Sequence, residues 1–576
     1  MSGPALEVRE AGARYIVQGT LPLIREFELM ATAPGGIAKL RELVLSLAVQ
    51  GRLVSHLSDD EPAETLLQRL SARRCTVTHA NRDQTSDGAP YELPCGWAWA
   101  AFGDLVENMG SGWSPACDEG ERSEVDRWAV LKTTAVQVMQ YRPNEHKALP
   151  VKLNPRPNIE VKPGDVLVTR AGPMNRVGIS CAVGETPERL MLSDKIVRAH
   201  PIGDEMLASF VVLALNAGWS KVQIEIAKTG MAASQVNISQ SDLKAIPVPV
   251  CSQTEQHRIV ARVEELMKLC DALEQSGRLA DEQHARLTST LFDALAASES
   301  AHALAENWQR IAEHFDLLLD RPEAVIALEQ TILHLAVRGL LVSQDPGDEP
   351  ATKTLTRLGA SDASVYATSQ GNELARSFPR EWAELTLVHL GRWAIGSGFP
   401  IVEQGKEGLP ILFAKVSDMN RPGNEREIVS TAHTIDADIA RRLRVNVHPA
   451  GAVIFPKIGG AIATNKRRVL VRPTAIDNNC LGIVPGSWCS TEYLHLLLVS
   501  IDFTTYQAGT SVPALSQGTL AQILVGLPPL AEQHRIVARV EELRLLCAQL
   551  RERLSDARRT QSQLADALIA AVGRSQ

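Results

Sequence analysis

The stretch EQHRIVARVEEL stands at Glu255–Leu266 and, letter for letter, again at Glu532–Leu543. The two copies lie 277 positions apart (532 − 255). Each matched position has odds of about one in twenty on ordinary residue usage, so chance does not produce twelve in a row. Either the second half of the chain is a copy of the first, or both copies must fit the same surface.

Shorter repeats surround this string and keep the same order in both halves. LAVQGRLV at Leu47–Val54 returns as LAVRGLLV at Leu335–Val342, and DEPA follows each of them. The other matched pairs are PCGWAW (Pro94–Trp99) with PREWAE (Pro379–Glu384), GSGWSP (Gly110–Pro115) with GSGFP (Gly396–Pro400), and ISQSDLKAIPV (Ile238–Val248) with LSQGTLAQILV (Leu515–Val525). The chain therefore consists of two repeats. Their flanking segments are similar in sequence, while their middle regions, Tyr91–Val250 and Arg376–Leu530, differ.

Each repeated string opens a segment with the apolar spacing of a coiled-coil helix, because its apolar residues recur in steps of four and three. The first such seam is Ile259, Val263, Leu266, Cys270 and Leu273, continuing through Ala280, Leu287, Leu291 and Ala294. The second is Ile536, Val540, Leu543, Cys547 and Leu550, continuing through Leu554, Ala557, Leu564, Leu568 and Ala571. Helices of roughly 40 residues would be about 60 Å long. We predict that they pack on each other; the alternative is two amphipathic helices, each lying on its own domain.

Composition places the chain among soluble proteins of several domains. It has 576 residues, 45% of them apolar and 22% charged, and a formal net charge of −8. The sequence contains no uninterrupted apolar run of about 18 residues, which predicts no membrane span, and the N-terminus lacks an export signal pattern. Nine cysteines without CxxC spacing favour reduced thiols, with Cys270 and Cys547 as small buried residues, and a cytoplasmic location.

The two middle regions have the pattern of α+β domains of about 150 residues each. Short β-branched runs such as VKPGDVLVTRAG, RVGISCAVG and KIVRAHPIG, bounded by glycine and proline, predict strands. LASFVVLALNAG and YLHLLLVSI predict short buried helices. The helices before them end at Gly51 and Gly339, which are placed as C-terminal caps.

Signatures of catalysis are missing from the sequence. It contains neither a GxGxxG fingerprint after a strand nor a GxxxxGK[ST] phosphate loop. NPRP at Asn154–Pro157 lacks the proline and aromatic ring of an amino-methyltransferase loop, so we interpret it as a turn. No HExxH or paired Cys/His spacing indicates a metal, and His257 and His534 suit a helix surface better than proton transfer. We predict that this chain is not an enzyme.

Basic residues beside glycine loops are the candidates for contacts with DNA. Lys+Arg against Asp+Glu gives 16 − 18 = −2 for the first middle region and 15 − 12 = +3 for the second, so neither has a strong basic excess. Such residues could reach phosphates or guanine edges, although a solvated charged face is the simpler interpretation of each. The candidates are Lys132, Arg170, Arg176, Lys457, Lys466, Arg467 and Arg468.

The doubled string, preceded in the second half by LPPL (Leu527–Leu530), together with LAVQGRLV and DEPA, resembles the specificity subunit of type I restriction–modification systems. The resemblance covers nearly the whole chain. The first copy departs from it, with VPVCSQT in place of the LPPL approach, and we find no repeat counterpart for the residues before Ile37.

The resemblance implies an α+β fold with two α/β target recognition domains, separated by a long antiparallel two-helix coiled coil and related by a pseudo-twofold repeat. The seam residues Ile259, Val263, Leu266, Leu273, Ile536, Val540, Leu543 and Leu550 would form this spacer. The implied segments are an N-terminal helical segment (1–90), the first recognition domain (91–250), a central conserved helical region (251–345), a linker (346–375), the second recognition domain (376–530) and the C-terminal spacer helix (531–576).

The function implied is recognition without catalysis. Each domain would read half of a bipartite target in double-stranded DNA, while the coiled coil sets the gap and docks two methyltransferase (modification) subunits, which restriction translocase subunits join. S-adenosylmethionine, ATP and Mg²⁺ would belong to those partners, and neither a cofactor nor a metal to this chain. Two other hypotheses remain: a self-contained DNA-modifying enzyme, and a scaffold without sequence preference.

Overall fold

The structure, a computed structural model, describes residues 27–73, 91–117, 127–358, 378–509 and 512–574. The chain divides into two compact units. The first unit holds Met1–Leu279 and Arg558–Gln576, and the second unit holds Ala280–Ala557. Two helices of 44 and 45 residues, which follow the two middle regions, contribute residues to both units.

Among its described residues up to Leu279, the first unit holds six α-helices and the beginning of a seventh, which continues into the second unit. They are α1 (Phe27–Thr32), α2 (Gly36–Val49), α3 (Ala63–Arg73), α4 (Ala208–Leu215), α5 (Gly218–Ile226), α6 (Gln240–Ala245) and the long α7 (Gln253–Ala296). The repeated ISQ motif is the start of α6, where the Ser239 hydroxyl accepts a hydrogen bond from the Asp242 N–H at 3.0 Å. Such an N-cap satisfies a backbone donor that the first turn leaves free.

The strands of the first unit form small sheets. They are β1 (Ala98–Ala101), β2 (Val106–Ser111), β3 (Ala129–Leu131), β4 (Val136–Gln137), β5 (Gln140–Tyr141), β6 (His146–Ala148), β7 (Val166–Thr169), β8 (Ala171–Gly172), β9 (Ser180–Ala182), β10 (Leu190–Met191), β11 (Ile196–Pro201), β12 (Thr229–Ala232), β13 (Gln235–Asn237) and β14 (Pro247–Val250). The main sheet has the order β2-β11-β7-β9. β1 pairs antiparallel with β14, so the chain enters and leaves the region side by side.

The second unit repeats this arrangement. Its helices are α8 (Ala301–Ala312), α9 (Phe315–Leu318), α10 (Pro322–Val337), α11 (Ala351–Arg357), α12 (Ala437–Leu443), α13 (Thr491–Ser500), α14 (Gln517–Ala521) and the long α15 (Leu530–Arg574). The LSQ repeat again forms an N-cap, because the Ser516 hydroxyl accepts from the Thr519 N–H at 3.0 Å.

The strands of the second unit form two larger sheets and smaller pairs. They are β15 (Ala383–Thr386), β16 (Gly391–Ile395), β17 (Ile411–Ala414), β18 (Glu427–Ile428), β19 (His433–Ile435), β20 (Val447–His448), β21 (Val453–Pro456), β22 (Arg468–Leu470), β23 (Thr474–Ile476), β24 (Cys480–Pro485), β25 (Gln507–Ala508), β26 (Ala514–Leu515) and β27 (Leu524–Leu527). One sheet has five strands in the order β16-β24-β21-β22-β18, and another has the order β19-β17-β23-β20. β15 pairs antiparallel with β27, as β1 does with β14.

These elements confirm the expected mixture of helices and sheets. The predicted strands in VKPGDVLVTRAG, RVGISCAVG and KIVRAHPIG are β7, β9 and β11, and the predicted buried helices are α4 and α13. Gly51 and Gly339 follow α2 and α10 in the left-handed region, with φ of 67° and 74°. An added Cβ would meet the Cγ of Pro94 at 2.6 Å or of Pro379 at 2.4 Å, so the repeated glycines meet both a backbone and a packing requirement.

The repeat extends further towards the N-terminus than the sequence pattern indicates. α1 starts at Phe27 and α9 at Phe315, which differ by 288 (315 − 27), the offset of the LAVQGRLV repeat. Met30 and Leu318 share that offset, and both side chains are buried. The expectation that residues before Ile37 have no counterpart is therefore wrong for residues 27–36, while residues 1–26 lie outside the described residues. Its cause is that Phe, Leu and Pro are the main letters shared there, while the helix is kept.

The burial of the predicted seam residues agrees with the pattern in the first half of each long helix, whereas in the second half it departs from the pattern at Leu287 and Leu564. Ile259, Val263 and Cys270 are buried, but Leu287 is 54% exposed and its neighbour Thr288 is buried. In the second copy Leu564 is 47% exposed and Ala565 is buried. An α-helix has 3.6 residues per turn rather than 3.5, so a strict heptad pattern drifts about 20° per repeat. After four repeats the buried face has therefore moved on by one residue.

The cysteines of the long helices are buried, as predicted, and burial raises the pKa of the Cys270 and Cys547 thiols. Among the described residues, no helix combines the length and the apolarity needed to cross a bilayer. The same part of the chain contains no cluster of three His, Cys, Asp or Glu side chains that could hold a metal ion.

Candidate nucleic-acid interface

A cation follows the central strand of the main sheet in the first unit. β7 ends at Thr169, and the backbone N–H of the next residue, Arg170, donates to the carbonyl of Lys195 at 2.8 Å. The Arg170 carbonyl accepts from the N–H of Ile238 at 2.9 Å. Arg170 is thereby held between the start of β11 and the hairpin β12–β13, which pairs with β8 immediately after it.

The second unit places a cation at the same backbone position. β21 ends at Pro456, and the N–H of Lys457 donates to the Asn479 carbonyl at 2.9 Å. The Lys457 carbonyl accepts from the N–H of Leu515 in the hairpin β25–β26 at 2.8 Å. We call this arrangement the strand-end face: Arg170–Gly172 with the β12–β13 hairpin in the first unit, and Lys457–Gly459 with the β25–β26 hairpin in the second.

The two cations of the strand-end face are available for a ligand. Both side chains are partly exposed. Within the described ranges neither forms an ion pair, and the Arg170 Nε is buried without a hydrogen-bond partner. Glycine follows each cation by two residues, which leaves the backbone beside it open to approach. A guanidinium or ammonium group in such a position can bind a phosphate or the edge of a guanine.

Four other candidates from the sequence have different surroundings. Lys132 lies 3.6 Å from the Glu145 carboxylate, and Lys466 donates to the side chain of Asn420. The Arg176 guanidinium donates to the carbonyls of Thr133 and Val136, each at 2.8 Å, and to Gln137 at 3.0 Å. Arg468 donates to the carbonyls of Met419 and Arg467, each at 3.0 Å, and burial lowers its pKa. Arg176 and Arg468 therefore hold loops of their own domain together, which corrects their assignment as DNA contacts.

Arg467 is a core residue, and its assignment as a DNA contact is wrong in this structure. Its side chain is 1% exposed, and burial lowers the pKa of its guanidinium to about 9. The guanidinium donates to the carbonyls of Leu498 and Ile501 at the C-terminal end of α13, at 3.0 and 3.4 Å. It also lies 4.1 Å from the centroid of the Phe503 ring. The cation satisfies carbonyls that the last turn of a helix leaves without partners.

The repeated string itself makes the same internal contacts twice. The indole N–H of Trp97 donates to the buried Glu255 carboxylate at 3.1 Å, and that of Trp382 donates to Glu532 at 2.9 Å. Three residues further along each helix, Arg258 and Arg535 form bidentate hydrogen bonds to the DEPA aspartates Asp60 and Asp348. Part of the identity between the strings is therefore explained by the need to attach each long helix to the start of its middle region and to the DEPA turn.

Four other identical positions of each string face solvent. His257, Ala261, Glu264 and Glu265 are exposed in the first copy, and His534, Ala538, Glu541 and Glu542 are exposed in the second. Within the string, Arg262 pairs with Glu265 and Arg539 with Glu542, each at 2.6 Å. Two matching sets of exposed residues thus accompany the two sets of internal contacts, although Glu541 of the second copy also pairs with Arg426 at 3.0 Å.

The eight residues predicted to form the spacer are buried or partly buried. Ile259, Val263, Leu266, Ile536 and Val540 are buried, and Leu273, Leu543 and Leu550 are partly buried. In the first unit, one cluster contains Cys270 and Leu273 of α7 together with Ala565, Leu568 and Ile569 of α15. In the second unit, another contains Phe292 and Leu295 of α7 with Cys547 and Leu550 of α15.

The two buried carboxylates differ in one neighbour. Glu255 is held by the His56 ring at 2.7 Å, whereas Glu532 accepts a hydrogen bond from Gln344 at 2.7 Å, 288 positions on (344 − 56). Burial raises the pKa of both carboxyl groups, and hydrogen bonds from Gln344 and Trp382 oppose that rise at Glu532. A carboxyl group whose pKa is higher in the folded chain lowers stability when it ionises.

Glu532→Gln is therefore expected to reduce the loss in free energy of unfolding that the wild-type chain shows as the pH rises. The folded pKa lies above the unfolded one, so the contribution is complete below the unfolded pKa and is lost as pH rises through the folded pKa. Thermal unfolding at pH 4 and at pH 8 measures the change. We expect the variant to gain on the wild type at pH 8, because the introduced glutamine carries no charge and its amide oxygen can still accept from one of the two donors, Gln344 or Trp382. The exposed Glu552→Gln on the same helix is the control, and an equal change in both variants would contradict the assignment.

A scan of protein-family models finds no match for this chain. Among curated proteins, it is 41% identical to the Escherichia coli type I restriction enzyme EcoEI specificity subunit over 290 residues, which are 49% of either chain. It therefore matches about half the length of that relative. It is 28% identical to the E. coli EcoAI specificity subunit over 567 residues, covering 92% of this chain and 93% of the relative.

Two solved structures also cover 84% of the chain. One, from work on the assembly and conformational transition of the type I R-M system, has a TM-score of 0.48 at 15% identity and is covered over 99% of its length. The other, the HsdS subunit from Thermoanaerobacter tengcongensis, has a TM-score of 0.40 at 16% identity and is covered over 98%. The relatives from E. coli confirm the resemblance that the doubled string indicates: over nearly its whole length, this chain is similar in sequence to the specificity subunits of type I restriction enzymes.

Proposed function

We propose that this chain is the DNA sequence-specificity subunit of a type I restriction–modification complex, in which each recognition domain reads half of a bipartite target. The observation that carries this proposal is the strand-end face, which recurs at one backbone position in both units with different side chains around it. A bipartite target requires two recognition domains that differ from each other, each attached to its long helix in the same way. The sequence similarity to type I specificity subunits supports the same conclusion.

We further propose that α7 and α15 pair as an antiparallel coiled coil that sets the gap between the half-sites. The two mixed clusters support this, because residues early in one long helix share a cluster with residues late in the other. A pair of helices of 44 and 45 residues provides a spacer of about 66 Å at most. Fixing two weak contacts at a set distance raises their joint affinity.

The exposed identical residues of the string support docking of two methyltransferase subunits. Two copies of one partner need two equivalent surfaces, and a doubled surface on one chain supplies them. Restriction subunits would join that core. In this proposal methyl transfer, with S-adenosylmethionine, and DNA cleavage, with ATP and Mg²⁺, are carried out by those partners, and this chain supplies the binding and the geometry.

The test is whether the two cations act on separate halves of the target. Duplexes are first selected from a random library with the full-length chain, and binding of Arg170→Ala and Lys457→Ala is then measured by competition. We expect each variant to bind about tenfold more weakly and to lose base preference in one half-site alone, which corresponds to the cost of one specific contact. Lys353→Ala, which removes an exposed cation from α11, should bind as the wild type does.

The proposal fails if both variants bind as the wild type does, or if both reduce preference across the same bases. Uniform weakening on every duplex, with preference intact in both halves, would instead make the two cations phosphate contacts and leave base reading to other residues. A chain that selects no sequence at all, alone or with methyltransferase subunits, would favour the scaffold hypothesis.

A further inference from the structure

Two adjacent apolar side chains in the second unit stand almost free in solvent. Ile401 is 85% exposed and Val402 is 84% exposed, and together they begin a 3-10 helix, Ile401–Glu403. Single exposed apolar residues are common on protein surfaces, but two large β-branched neighbours at this exposure are a feature that a ligand would cover.

The turn that carries this pair is held firmly from both sides. Before it, the ring of Phe399 stacks on Phe413 with centroids 3.7 Å apart and an interplanar angle of 13°. After it, the Gln404 side chain donates to the Phe399 carbonyl at 3.0 Å, and the Glu403 N–H donates to the Pro400 carbonyl at 3.1 Å. The apolar pair is therefore presented on a fixed support.

Cations surround the same turn. The Glu403 carboxylate, which is 7% exposed, lies between Lys406 and Arg442, each at 2.5 Å. Lys415 adds a third cation, with its ammonium group donating to Gln404 at 3.0 Å. Against Glu403 and the exposed Glu407, which follows Lys406, these three cations leave one positive charge in excess. Apolar side chains within a positive rim match the chemistry of a nucleic-acid duplex, whose stacked bases lie between two rows of phosphates.

The turn starts beside the strand-end face. β16 ends at Ile395, which pairs with Leu481 of β24, and β24 pairs in turn with β21, the strand that precedes Lys457. Two residues after β16, the N–H of Ser397 donates to the Ile476 carbonyl at 2.8 Å. The segment leading to Ile401 thus leaves the sheet at the same end as Lys457.

The first unit differs at the start of the corresponding segment, which is described only up to Cys117. The equivalent glycine there is Gly112, and the next residue, Trp113, is partly buried with the Arg156 guanidinium over its ring at 4.1 Å. The aromatic surface is covered by the protein itself. The described part of that segment, up to Cys117, has no pair of adjacent exposed apolar side chains.

We propose that Ile401 and Val402 form a wedge that presses between two base pairs of the second half-site, so that DNA is kinked there. The inference rests on the proposed function, because it requires that the second unit contacts DNA. Unstacking one base step costs free energy. The apolar pair offsets this cost by covering the exposed base faces, and the neighbouring cations offset it by approaching the phosphates on either side. A step that unstacks easily, such as TA or CA, is then preferred without any hydrogen bond to its bases.

The test uses the full-length chain and the duplex selected with it, carrying 2-aminopurine at successive positions of the second half-site. The fluorescence of this base rises when its neighbour is unstacked. We expect wild-type chain to raise it several-fold at one step, and the double variant Ile401→Ser, Val402→Ser to abolish that rise and weaken binding about tenfold. Val151→Ser, at a side chain 90% exposed in the first unit, is the matched control and should keep both signals.

The wedge is ruled out if the double variant binds the duplex and raises the fluorescence as the wild type does. It is also ruled out if the double variant keeps both DNA signals but no longer binds methyltransferase subunits, since the pair would then contact a protein. If wild-type chain selects no sequence, the proposed function fails and the wedge fails with it; sequence-specific binding without any fluorescence rise overturns the wedge alone.

Discussion

Arg467→Ala is expected to lower the free energy of unfolding of the second unit by about 3 kcal/mol, the range of a lost charged hydrogen-bond network combined with a core cavity. The side chain is 1% exposed and donates to the carbonyls of Leu498, Lys466 and Ile501 at 3.0, 3.2 and 3.4 Å. Alanine leaves these acceptors unpaired and opens a space beside the Phe503 ring. Chemical denaturation of the full chain, followed by tryptophan fluorescence, measures the loss.

A surface arginine of the same unit provides the control. Arg441 in α12 has a side chain 80% exposed and pairs with an aspartate that is 85% exposed. Its replacement by alanine is expected to change the stability by no more than about 0.5 kcal/mol, as is usual for exposed ion pairs. If Arg467→Ala proves no more harmful than Arg441→Ala, Arg467 is not a core residue and its assignment as a DNA contact becomes open again.

Lengthening both long helices together is expected to widen the gap between the half-sites without changing the bases in either. Seven residues inserted after Ala280 and seven after Ala557, which are matched positions (557 − 280 = 277), add about 10 Å, or roughly three base pairs. Binding to the original target should fall by at least about a hundredfold, because the two domains can no longer bind it at once. Library selection with the variant should then recover the same half-sites at the wider gap.

Inserting the seven residues into only one helix is the informative control. It breaks the match between the helices, so the variant should select neither the old nor the new spacing. A changed set of bases with an unchanged gap would show that the helices do not set the distance, and the spacer proposal would then be wrong.

Which residues are buried in the first half of each long helix follows from the sequence, and which are buried in the second half does not. The repeated apolar steps predict the burial of Ile259, Val263 and Cys270, because repeats of 3.5 and 3.6 residues per turn nearly coincide over the first three turns. The choice between Leu287 and Thr288 depends on how the helix winds and on what packs against it. Thr288 is buried even though Leu287 is the more apolar residue. Tertiary packing decides which of these two residues faces the core, and the spacing of apolar residues in the sequence does not indicate it.

The position of the strand-end cations could be predicted, because a glycine after a short strand indicates close approach of a ligand to the backbone. Their contact with DNA stays a prediction. The core position of Arg467 could not be predicted, since NKRR at Asn465–Arg468 has the appearance of a basic surface. The need for a cation at this position comes from α13, whose C-terminal carbonyls lie about 30 residues further along the chain.

The match between GSGWSP and GSGFP shows how letters alone mislead. Ser111 pairs with Val197, and Ile395 pairs with Leu481, so the equivalent glycines are Gly112 and Gly396. A Cβ at either would lie 1.9 Å from a carbonyl oxygen, that of Leu192 or Asp477. Matching the first glycine of each motif shifts the pairing by two residues. The close approach to a neighbouring carbonyl, which identifies the true pair, becomes visible only in the structure.

Mapping methylated bases across the genome of cells with and without this chain tests the central proposal most directly. We predict a methylated motif that appears only when the chain is present and that consists of two short specific parts with an unspecified gap of fixed length. Arg170→Ala should then degrade one part and Lys457→Ala the other. A continuous motif without a gap, or methylation that is the same in both cell lines, would contradict the proposal that two unlike domains on a helical spacer read one split target.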